Sequence, residues 1–428
     1  IYIYIYYIMD YIKKIKNSKY WEDIDDIVWS VNLNKKIQKK HYDNVKIGLI
    51  NIPCNGFGDI ILCKKMYDYL STWYPSANIK ICSTSKDKFK KLGIKEKIIE
   101  LKNNNDGECH RFSHLKMDYK SKFDILLIIP LTERQFNLNN FKKLIPYATK
   151  WNTFTCSEYN GEYEPYTFPI GVGKGQLGIF LNKPNYTEQN IIKNPYALVY
   201  IAEEVDIHSP SCFLAFLEMI CKKYSKKHKI FEIIIPEWIR ELIEHYYPFK
   251  NKCLKIIKEY YGCCYIKVEK NARLELFYED NKTQLILRAD ILPKPTKIFI
   301  GLIKGSVDDI LLTGDQSITD AISCCKDKTI WYQIAPWKQE FSYNLYLETG
   351  NKNYKTFKTS CGNIKGSNFK NDVNKLIKNN NFSIKGRERF DALLIGVYDI
   401  RYNKDVKLIT DIIDNSRFLE TLKKKINN

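Results

Sequence analysis

The sequence contains two series of apolar runs, one on each side of a polar stretch at 182–195. Each run is followed by a turn and by a segment whose apolar residues have helical spacing. In the first series, Val45–Ile52 reads as a buried strand, Ile60–Tyr74 as a helix and Ile79–Ser83 as the next strand. Strand, helix and strand within about 40 residues form a βαβ unit, which opens a parallel sheet. The sequence therefore predicts the α/β class, with helices covering both faces of each sheet.

The second series repeats this alternation after the polar stretch. Its expected strands are Ala197–Ile201, Phe231–Ile235, Gln284–Leu287, Ile310–Leu312 and Thr329–Gln333. Its expected helices are Phe213–Tyr224, Trp238–His245, Thr296–Lys304, Ile318–Cys325 and Lys338–Leu347. We therefore predict two Rossmann-like, doubly wound parallel-sheet domains of similar size, at 45–181 and 196–349, with 182–195 as their linker.

The ends of the chain carry weaker signals. Residues 1–44 read as a polar, aromatic-rich lead-in, in which 1–8 alternate Ile and Tyr as an ATATAT repeat would encode. We expect 1–8 to be untranslated or disordered sequence ahead of the first methionine, with a short buried or edge strand as the alternative. Residues 350–428 are expected to be a loop region, Asn/Lys-rich over 350–382, that ends in an amphipathic C-terminal helix over 405–425.

The net charge of +19 is typical of a protein that binds nucleic acid. The predominance of lysine over arginine argues against that interpretation. Only nine of the 68 basic residues are arginines, so 59 are lysines. Recognition of bases and phosphates favours the forked guanidinium group, which lysine lacks. The lysines accompany abundant Asn, Ile and Tyr, which A/T-only codons specify, so an AT-rich genome explains the charge more simply. We therefore do not expect nucleic acid as a partner.

The cellular compartment can be predicted from the thirteen cysteines and from the lengths of the apolar runs. No C-x-x-C occurs, so a structural zinc site is not expected. Without a secretory signal, the cysteines read as reduced, mostly buried thiols of a cytoplasmic protein. A membrane span needs about 20 apolar residues, and the runs here are shorter, so we expect no transmembrane span.

A glycine turn joins the first predicted strand to the first helix. Its residues are Asn55, Gly56, Phe57, Gly58 and Asp59. Glycines let backbone approach a ligand there, and a helix N-terminus favours an anion or a polarised group. Asp59 is a candidate base for deprotonating a hydroxyl, and an ordinary helix cap is the alternative. The turn lacks the third glycine of a dinucleotide fingerprint, which disfavours NAD.

A second strand-to-helix turn, at 313–321, concentrates polar side chains. They follow the turn glycine in the order Gly314, Asp315, Gln316, Ser317 and Asp320. Free backbone N–H groups beside a serine hydroxyl suit a diphosphate, and a carboxylate further along suits sugar or ribose hydroxyls. The alternative is an ordinary N-cap formed by Asp or Ser.

Two further junctions are expected at the same edge of the sheet, because ligands bind beyond the carboxyl ends of parallel strands. The helix after the last predicted strand carries Lys338, Gln339 and Asn344 near its start. The loop after the first strand of the second domain carries His208, Ser209 and Ser211. His208 is a candidate phosphate ligand or acid, with a structural role as the alternative, and Ser209 or Ser211 is expected to cap the next helix.

Two other patterns are weaker. The glycine-rich loop at 171–178 holds one lysine, but it does not match the phosphate-loop pattern G-x-x-x-x-G-K-[ST]. Cys109, His110 and His114 would share a helical face, but without an H-E-x-x-H frame a surface role is preferred over a metal site. We expect no bound metal.

The whole pattern resembles a GT-B glycosyltransferase, in which two Rossmann-like domains face each other across a cleft. The turn Gly56–Asp59 is similar to the Gly-Asp turn that opens the ADP-heptose:lipopolysaccharide heptosyltransferases, and this likeness implies that Asp59 is the base. The run from Thr313 to Ala321, with Gln339 and Asn344, resembles the donor-nucleotide region of GT-B enzymes. The resemblance covers about residues 45–347, as architecture and short motifs.

Two departures separate this chain from the heptosyltransferases. The basic and hydroxyl residues of their first donor-domain loop have no clear counterpart here, and Ser209 and Ser211 stand nearest. The spacing from Gln339 to Asn344 is looser than the usual Gln-x-x-Asn. No D-x-D motif stands at a strand end, as a metal-independent GT-B site implies.

The resemblance implies an inverting, metal-independent transfer of a sugar from a nucleotide-sugar donor to a hydroxyl of a glycan, lipid or protein. The donor is a co-substrate, and no cofactor is required. Lys338 is expected to neutralise the charge that develops as the nucleotide leaves. A polysaccharide pyruvyltransferase-like enzyme, which also opens with a Gly-Asp turn, is one alternative. A non-enzymatic, lysine-rich nucleic-acid-binding protein is the other.

Overall fold

The computed structural model describes residues 44–54, 57–102, 116–117, 119, 122–131, 147, 153–161, 168–181, 186–188, 190–203, 208–269, 272–333, 338–349, 366–368, 373–387 and 390. The expectations for the lead-in at 1–43, for the C-terminal helix at 405–425 and for Cys109, His110 and His114 lie outside these residues. Among the described helices, none combines the length and apolar composition needed to span a bilayer.

The described residues divide into two compact units. The first unit takes its residues from within Ile1–Lys90, Lys95–Phe180 and Asn380–Asn428, and the second from within Lys91–Ile94 and Leu181–Asn379. Each unit is built on a sheet of its own, of six and eight strands respectively.

The first unit carries a six-stranded sheet in the order β4-β3-β2-β1-β5-β6. Its strands are β1 Lys46–Asn51, β2 Asn78–Ser83, β3 Ile98–Lys102, β4 Lys116–Met117, β5 Ile125–Leu131 and β6 Thr153–Ser157. Its helices are α1 Gly58–Trp73 and α2 Lys86–Lys91. Every pairing is parallel except that of β3 with β4. The chain runs outward from β1 in one direction and resumes at β5 in the other, so the topological switch point lies between these two strands.

Apolar periodicity explains the elements around β1. The strand is buried from Ile47 onward, and Gly48 lets it approach β5, because a methyl group there would lie 2.8 Å from the rings and methyls of Phe123 and Leu126. Helix α1 buries Ile60, Cys63, Met66 and Leu70, a spacing of three or four residues that places them on one face.

The second unit carries an eight-stranded sheet in the order β10-β9-β11-β8-β7-β12-β13-β14. Its strands are β7 Tyr196–Tyr200, β8 Ile230–Ile234, β9 Cys263–Lys267, β10 Arg273–Tyr278, β11 Gln284–Arg288, β12 Asp309–Leu312, β13 Thr329–Tyr332 and β14 Gly366–Asn368. Its helices are α3 His208–Tyr224, α4 Glu237–His245, α5 Tyr247–Lys258, α6 Thr296–Gly305, α7 Asp315–Cys324, α8 Gln339–Thr349 and α9 Val373–Asn379. The six inner strands are parallel and the two outer ones antiparallel.

Helix α3 shows why this sheet is covered as it is. Its buried positions, Phe213, Phe216, Leu217, Ile220 and Cys221, repeat at three- and four-residue spacing and pack into the core over β7 and β8. The direction of winding reverses between β7 and β12, which is the switch point of this sheet. The predicted fold class is confirmed: the fold is α/β, with two Rossmann-like, mostly parallel sheets.

Several sequence predictions need correction. The segment 350–382, predicted as loop, contains β14 and α9. Helix α5 and the hairpin of β9 and β10 were not predicted, because β10 is largely exposed and lacks the apolar run of a buried strand. Asp309, predicted to precede its strand, begins β12 and is buried, since Lys223, Tyr224 and Trp331 hydrogen-bond its carboxylate.

The cysteines depart from the sequence prediction at one position. Ten of those that the structure describes are free, and nine of the ten are buried. Burial raises the pKa of the Cys82 thiol to about 12, so it is a core residue and not a nucleophile. Cys54 is disulfide-bonded, and the prediction that all cysteines are reduced is therefore wrong. Cys54 lies in the loop after β1, where no spacing pattern signals a pairing.

The described part of 380–390 packs in the first unit. Ile179 donates its backbone N–H to the Asn380 carbonyl at 2.8 Å, and Asn380 Oδ1 accepts from the backbone N–H of Gly173 at 3.0 Å. The ring of Phe382 packs edge-on against Phe180. The glycine-rich loop at 171–178 is therefore tied to this C-terminal segment within the first unit.

Candidate functional site

Several predicted site residues of the second unit lie at the switch point of its sheet. Strands β7, β12 and β13 lie side by side and parallel, so their carboxyl ends share one edge. Ser209 follows β7, Thr313 and Gly314 follow β12, and Gln333 follows β13. Ligands of open α/β sheets bind beyond this edge, at the point where the winding reverses.

A buried hydrogen-bond chain joins these three strand ends. The Thr313 hydroxyl donates to Gln333 Oε1, and Gln333 Nε2 donates to Ser209 Oγ at 2.6 Å. All three side chains are buried. Low local polarity strengthens such a network and makes any broken member costly, so the edge is held rigidly.

The same contacts correct the capping prediction for Ser209 and Ser211. Helix α3 begins at His208, so both serines lie inside its first turn and neither is the N-cap. Ser209 instead faces the sheet edge, where Gln333 binds it. His208 begins the helix, and its side chain is outside the described residues.

Helix α7 begins on a glycine that its conformation requires. Gly314 has φ +90° and ψ 142°, a region of backbone space that is essentially confined to glycine. The Ser317 hydroxyl contacts the carbonyl oxygens of Thr313 and Gly314 at 2.6 and 3.0 Å. In the first turn of an α-helix the backbone N–H groups point out of the helix end, so those of 315–317 face the place where an anion would bind.

An ion pair is enclosed at this helix start. Lys338 Nζ lies 3.0 Å from Asp315 Oδ2, and each side chain is only 6% exposed. Removing two charges from water is expensive, and an ion pair at such depth is weak evidence for stability by itself. The pair fixes an ammonium group beside the first-turn N–H groups of α7, where it adds positive charge for an anionic ligand.

Two other polar side chains of α7 are also enclosed. Gln316 is buried, and its Oε1 has no hydrogen-bond donor among the described residues. A buried acceptor without a donor costs about 1–3 kcal/mol, so a ligand hydroxyl there would be favoured. Asp320 is buried near Tyr200, and burial together with the Asp320 charge raises the pKa of the Tyr200 hydroxyl.

The remaining predicted donor residues lie on or near α8, and the buried hydrogen-bond chain does not include them. Asn344 Nδ2 donates to the carbonyl and the carboxylate of Glu340, one turn earlier on the same helix. Gln339 begins α8, and its side chain is not described.

Asp59, the predicted base of the first unit, lies in the first turn of α1. The cap position is Phe57, so Asp59 is not the N-cap. Its Oδ2 accepts the backbone N–H of Cys54 at 2.9 Å, and Lys88 Nζ donates to the Cys54 carbonyl at 2.6 Å. Asp59 remains half-buried, which leaves it accessible to a substrate. Asn55 and Gly56 lie outside the described residues, and Gly58 is exposed.

Asn51, at the carboxyl end of β1, ties the switch point of the first sheet. Its Nδ2 donates to the Asp59 carbonyl at 3.1 Å and to the Ile129 carbonyl at 3.0 Å. Its Oδ1 accepts from the Ser83 hydroxyl at 3.1 Å. One carboxamide thus joins β1, β2, β5 and the start of α1.

Sequence reasoning missed Asn51, Ser83, Lys88 and Gln333 as site residues. The signal for Asn51, Ser83 and Gln333 was available, since each is a polar residue at the carboxyl end of an otherwise apolar strand run. These residues meet only because of the order of the strands in each sheet. The apolar runs do not predict that order. Among the described residues, no group of three or more potential ligands would hold a metal ion.

Comparisons with known proteins gave similarities only among solved structures. No family model matches, and no curated protein matches. The chain is similar to the glycosyl transferase family 9 protein from Veillonella parvula DSM 2008, at 10% identity and TM-score 0.37, over 79% of this chain and 97% of the other. It is similar to a glycosyltransferase from Rickettsia africae ESF-5, at 10% identity and TM-score 0.36, over 88% and 100%. An OtsA apo structure is similar at 13% identity and TM-score 0.27, over 74% and 72%.

Proposed function

We propose that the protein is a glycosyltransferase that moves a sugar from a nucleotide-sugar donor to a hydroxyl acceptor. The observation that carries the proposal is the enclosed polar cluster at the switch point of the second sheet. There the hydrogen-bond chain through Gln333 and the ion pair of Lys338 surround the start of α7. Such a helix start suits the diphosphate of a nucleotide sugar.

The donor-binding roles follow from these contacts. The backbone N–H groups of 315–317 take the diphosphate, and Lys338, held by Asp315, neutralises charge on the leaving nucleotide. Gln316 Oε1 and Asp320 take hydroxyls of the ribose or the sugar. Ser317 braces the turn, because its hydroxyl donates to the Thr313 carbonyl. We retain His208, Ser209, Ser211, Gln339 and Asn344 as donor or substrate contacts.

In the proposed reaction, Asp59 acts as general base. The acceptor oxygen attacks the anomeric carbon as the bond from that carbon to the phosphate oxygen breaks. The hydroxyl proton passes to the Asp59 carboxylate, and the electron pair leaves with the nucleoside diphosphate. A single displacement inverts the anomeric configuration. Asn55, Gly56 and Gly58 are proposed to contact the acceptor, and the reaction is proposed to need no metal and no cofactor.

The experiment is a panel of nucleoside diphosphates and sugar nucleotides, scored by thermal shift and by release of nucleoside diphosphate. Ligand at 100 times its dissociation constant should add about 2.7 kcal/mol to the unfolding free energy. We expect one nucleotide family to stabilise the protein and its sugar conjugate to be hydrolysed or transferred. Adding EDTA should leave the turnover unchanged.

Two outcomes would reject the proposal. Stabilisation by phosphoenolpyruvate, with no thermal shift from any nucleotide, would favour a pyruvyltransferase instead. Nucleotide binding that survives Lys338→Met together with Gln316→Ala would mean that the donor binds away from the start of α7.

A further inference from the structure

A dense run of lysines closes helix α3 and leads into strand β8. Residues 222–229 read Lys-Lys-Tyr-Ser-Lys-Lys-His-Lys, with no acidic residue among them. The five lysines, here named the lysine patch, are exposed: Lys222, Lys223, Lys226, Lys227 and Lys229. The average lysine content of the chain places about one lysine in a window of eight, so this density exceeds what composition alone explains.

The lysine patch lies at the opposite edge of the sheet from the donor cluster. Helix α3 begins at His208, beside that cluster, and Lys222, the first residue of the patch, follows Ser209 by 13 residues, about 20 Å along the helix. The Debye length at physiological salt is about 8 Å, so these charges act little on a phosphate at the far end of the helix. The patch is therefore too far from the donor cluster to contribute much to binding a phosphate there.

Local packing collects these charges and pairs Lys223 with a carboxylate. Lys223 pairs with Asp309 at 2.6 Å, and the Tyr224 hydroxyl donates to the same carboxylate. The ammonium groups of Lys223 and Lys227 lie 5.4 and 5.5 Å from the centre of the Tyr224 ring. In the described part of the chain, the other four lysines form no ion pair with a carboxylate.

The chemistry of the patch favours a lipid surface over nucleic acid. The patch contains no guanidinium fork for phosphate or base edges. Tyr224 is buried beneath two ammonium groups, so its ring is not open for stacking on a base. Binding to an anionic bilayer needs neither a guanidinium group nor an open aromatic ring, because clusters of four to eight lysines are attracted to it by charge alone. Ile230, exposed beside Lys229, adds an apolar side chain at the same place.

We propose that the lysine patch is a docking surface for an anionic lipid bilayer. It is independent of the proposed transfer reaction, since it uses no residue of either candidate site. Lysine acts as a point charge near the bilayer, so binding falls with salt and with each lysine removed.

The test is co-sedimentation of the full-length protein with phosphatidylcholine vesicles that contain about one third phosphatidylserine. We expect binding to these vesicles, none to pure phosphatidylcholine, and loss of binding at about 0.5 M salt. The fourfold variant Lys222→Gln, Lys226→Gln, Lys227→Gln and Lys229→Gln should bind about 10²- to 10³-fold more weakly, at about fivefold per lysine.

A matched variant separates the patch from the total charge. Lys90→Gln, Lys252→Gln, Lys282→Gln and Lys378→Gln remove the same charge from scattered exposed positions, and this variant should keep most of the binding. Equal losses in both variants would overturn the proposal, as would a wild type that ignores anionic vesicles. Patch-dependent binding of an RNA oligonucleotide, with no binding to vesicles, would reassign the patch to nucleic acid. Urea unfolding confirms that both variants are folded.

Discussion

The starts of α1 and α7 occupy equivalent places in the two units and differ in burial. Each helix follows the carboxyl end of a strand beside the switch point of its sheet, and each carries an aspartate in its first turn. At α1, Gly58 is exposed and Asp59 is half-buried. At α7, every residue from Asp315 to Ile322 is buried.

This difference supports the different roles proposed for the two helix starts. A half-buried carboxylate such as Asp59 can meet an incoming hydroxyl and take its proton. Asp315 is enclosed and engaged by Lys338, so it holds a cation in place and does not itself exchange protons with a substrate. Both starts are braced alike by a buried carboxamide, Asn51 in the first unit and Gln333 in the second.

The largest expected effect is on turnover, from Asp59→Asn. The amide cannot take a proton, and general-base catalysis typically contributes 10²- to 10⁴-fold, so kcat should fall by about that factor. Donor affinity and unfolding free energy should change little, because Asn Oδ1 still accepts the Cys54 N–H. The measurements are steady-state kinetics, a donor titration and urea unfolding.

Asp87→Asn provides the matched control for this prediction. Asp87 is also a first-turn acid of a helix in the first unit, and it is exposed. Its variant should retain full turnover. A normal rate for Asp59→Asn would exclude this residue as the base. The starts of α1 and α7 would then no longer differ in their proposed roles.

Lys338→Met should have the largest effect on stability. It leaves Asp315 buried without its ammonium partner, and breaking a buried pair from one side costs about 3–5 kcal/mol. Lys297→Met, at an exposed position of the same unit, should cost less than about 0.5 kcal/mol. Urea unfolding followed by circular dichroism gives both values.

A double variant then separates stability from donor binding. Adding Asp315→Leu to Lys338→Met removes both charges and should recover most of the lost stability, because a well-packed apolar pair is often as stable as a buried ion pair. Donor binding should not return. If it does, the ion pair has only a structural role and the enclosed helix start is not the donor site.

Replacing the two braces should give intermediate effects. Asn51→Ala leaves the carbonyls of Asp59 and Ile129 and the Ser83 hydroxyl without their partner, at a cost of about 2–4 kcal/mol. Gln333→Ala releases two hydroxyls that can rotate to other partners, so about 1–2 kcal/mol is expected. A larger loss for Gln333→Ala than for Asn51→Ala, measured by urea unfolding, would contradict this ranking.

The sequence predicted the strands and helices around both sites, because their apolar spacing is strong. The runs at β1, β7 and β12 and helix α1 appear within one or two residues of their predicted positions, and α3 ends where predicted but begins five residues earlier, at His208. Glycine followed by aspartate, at Gly58 and at Gly314, also marked both helix starts correctly. These features depend only on neighbours along the chain.

The bracing contacts were beyond prediction because they join residues far apart in the sequence. Gln333 and Ser209 are 124 positions apart, and Asn51 and Ile129 are 78 apart. Their meeting depends on the order of strands in each sheet, which apolar runs do not encode. The burial of α7 could not be predicted either, because its first turn is polar and has the composition of a solvated helix start.

A pair of glycine substitutions gives the smallest and most discriminating test of the comparison. In Gly314→Ala the new methyl group would meet only Ser317 Oγ, at 3.9 Å, so the penalty comes from the positive φ and should be about 1–3 kcal/mol. In Gly58→Ala the methyl group meets nothing within 4 Å and the backbone is helical, so a gain of about 0.4–1 kcal/mol is expected. Opposite signs in urea unfolding mean that the α7 start is conformationally constrained while the α1 start is open. Equal losses would mean that the Asp59 turn is held as tightly as the Asp315 turn, and the two helix starts would then have to be assigned the same role.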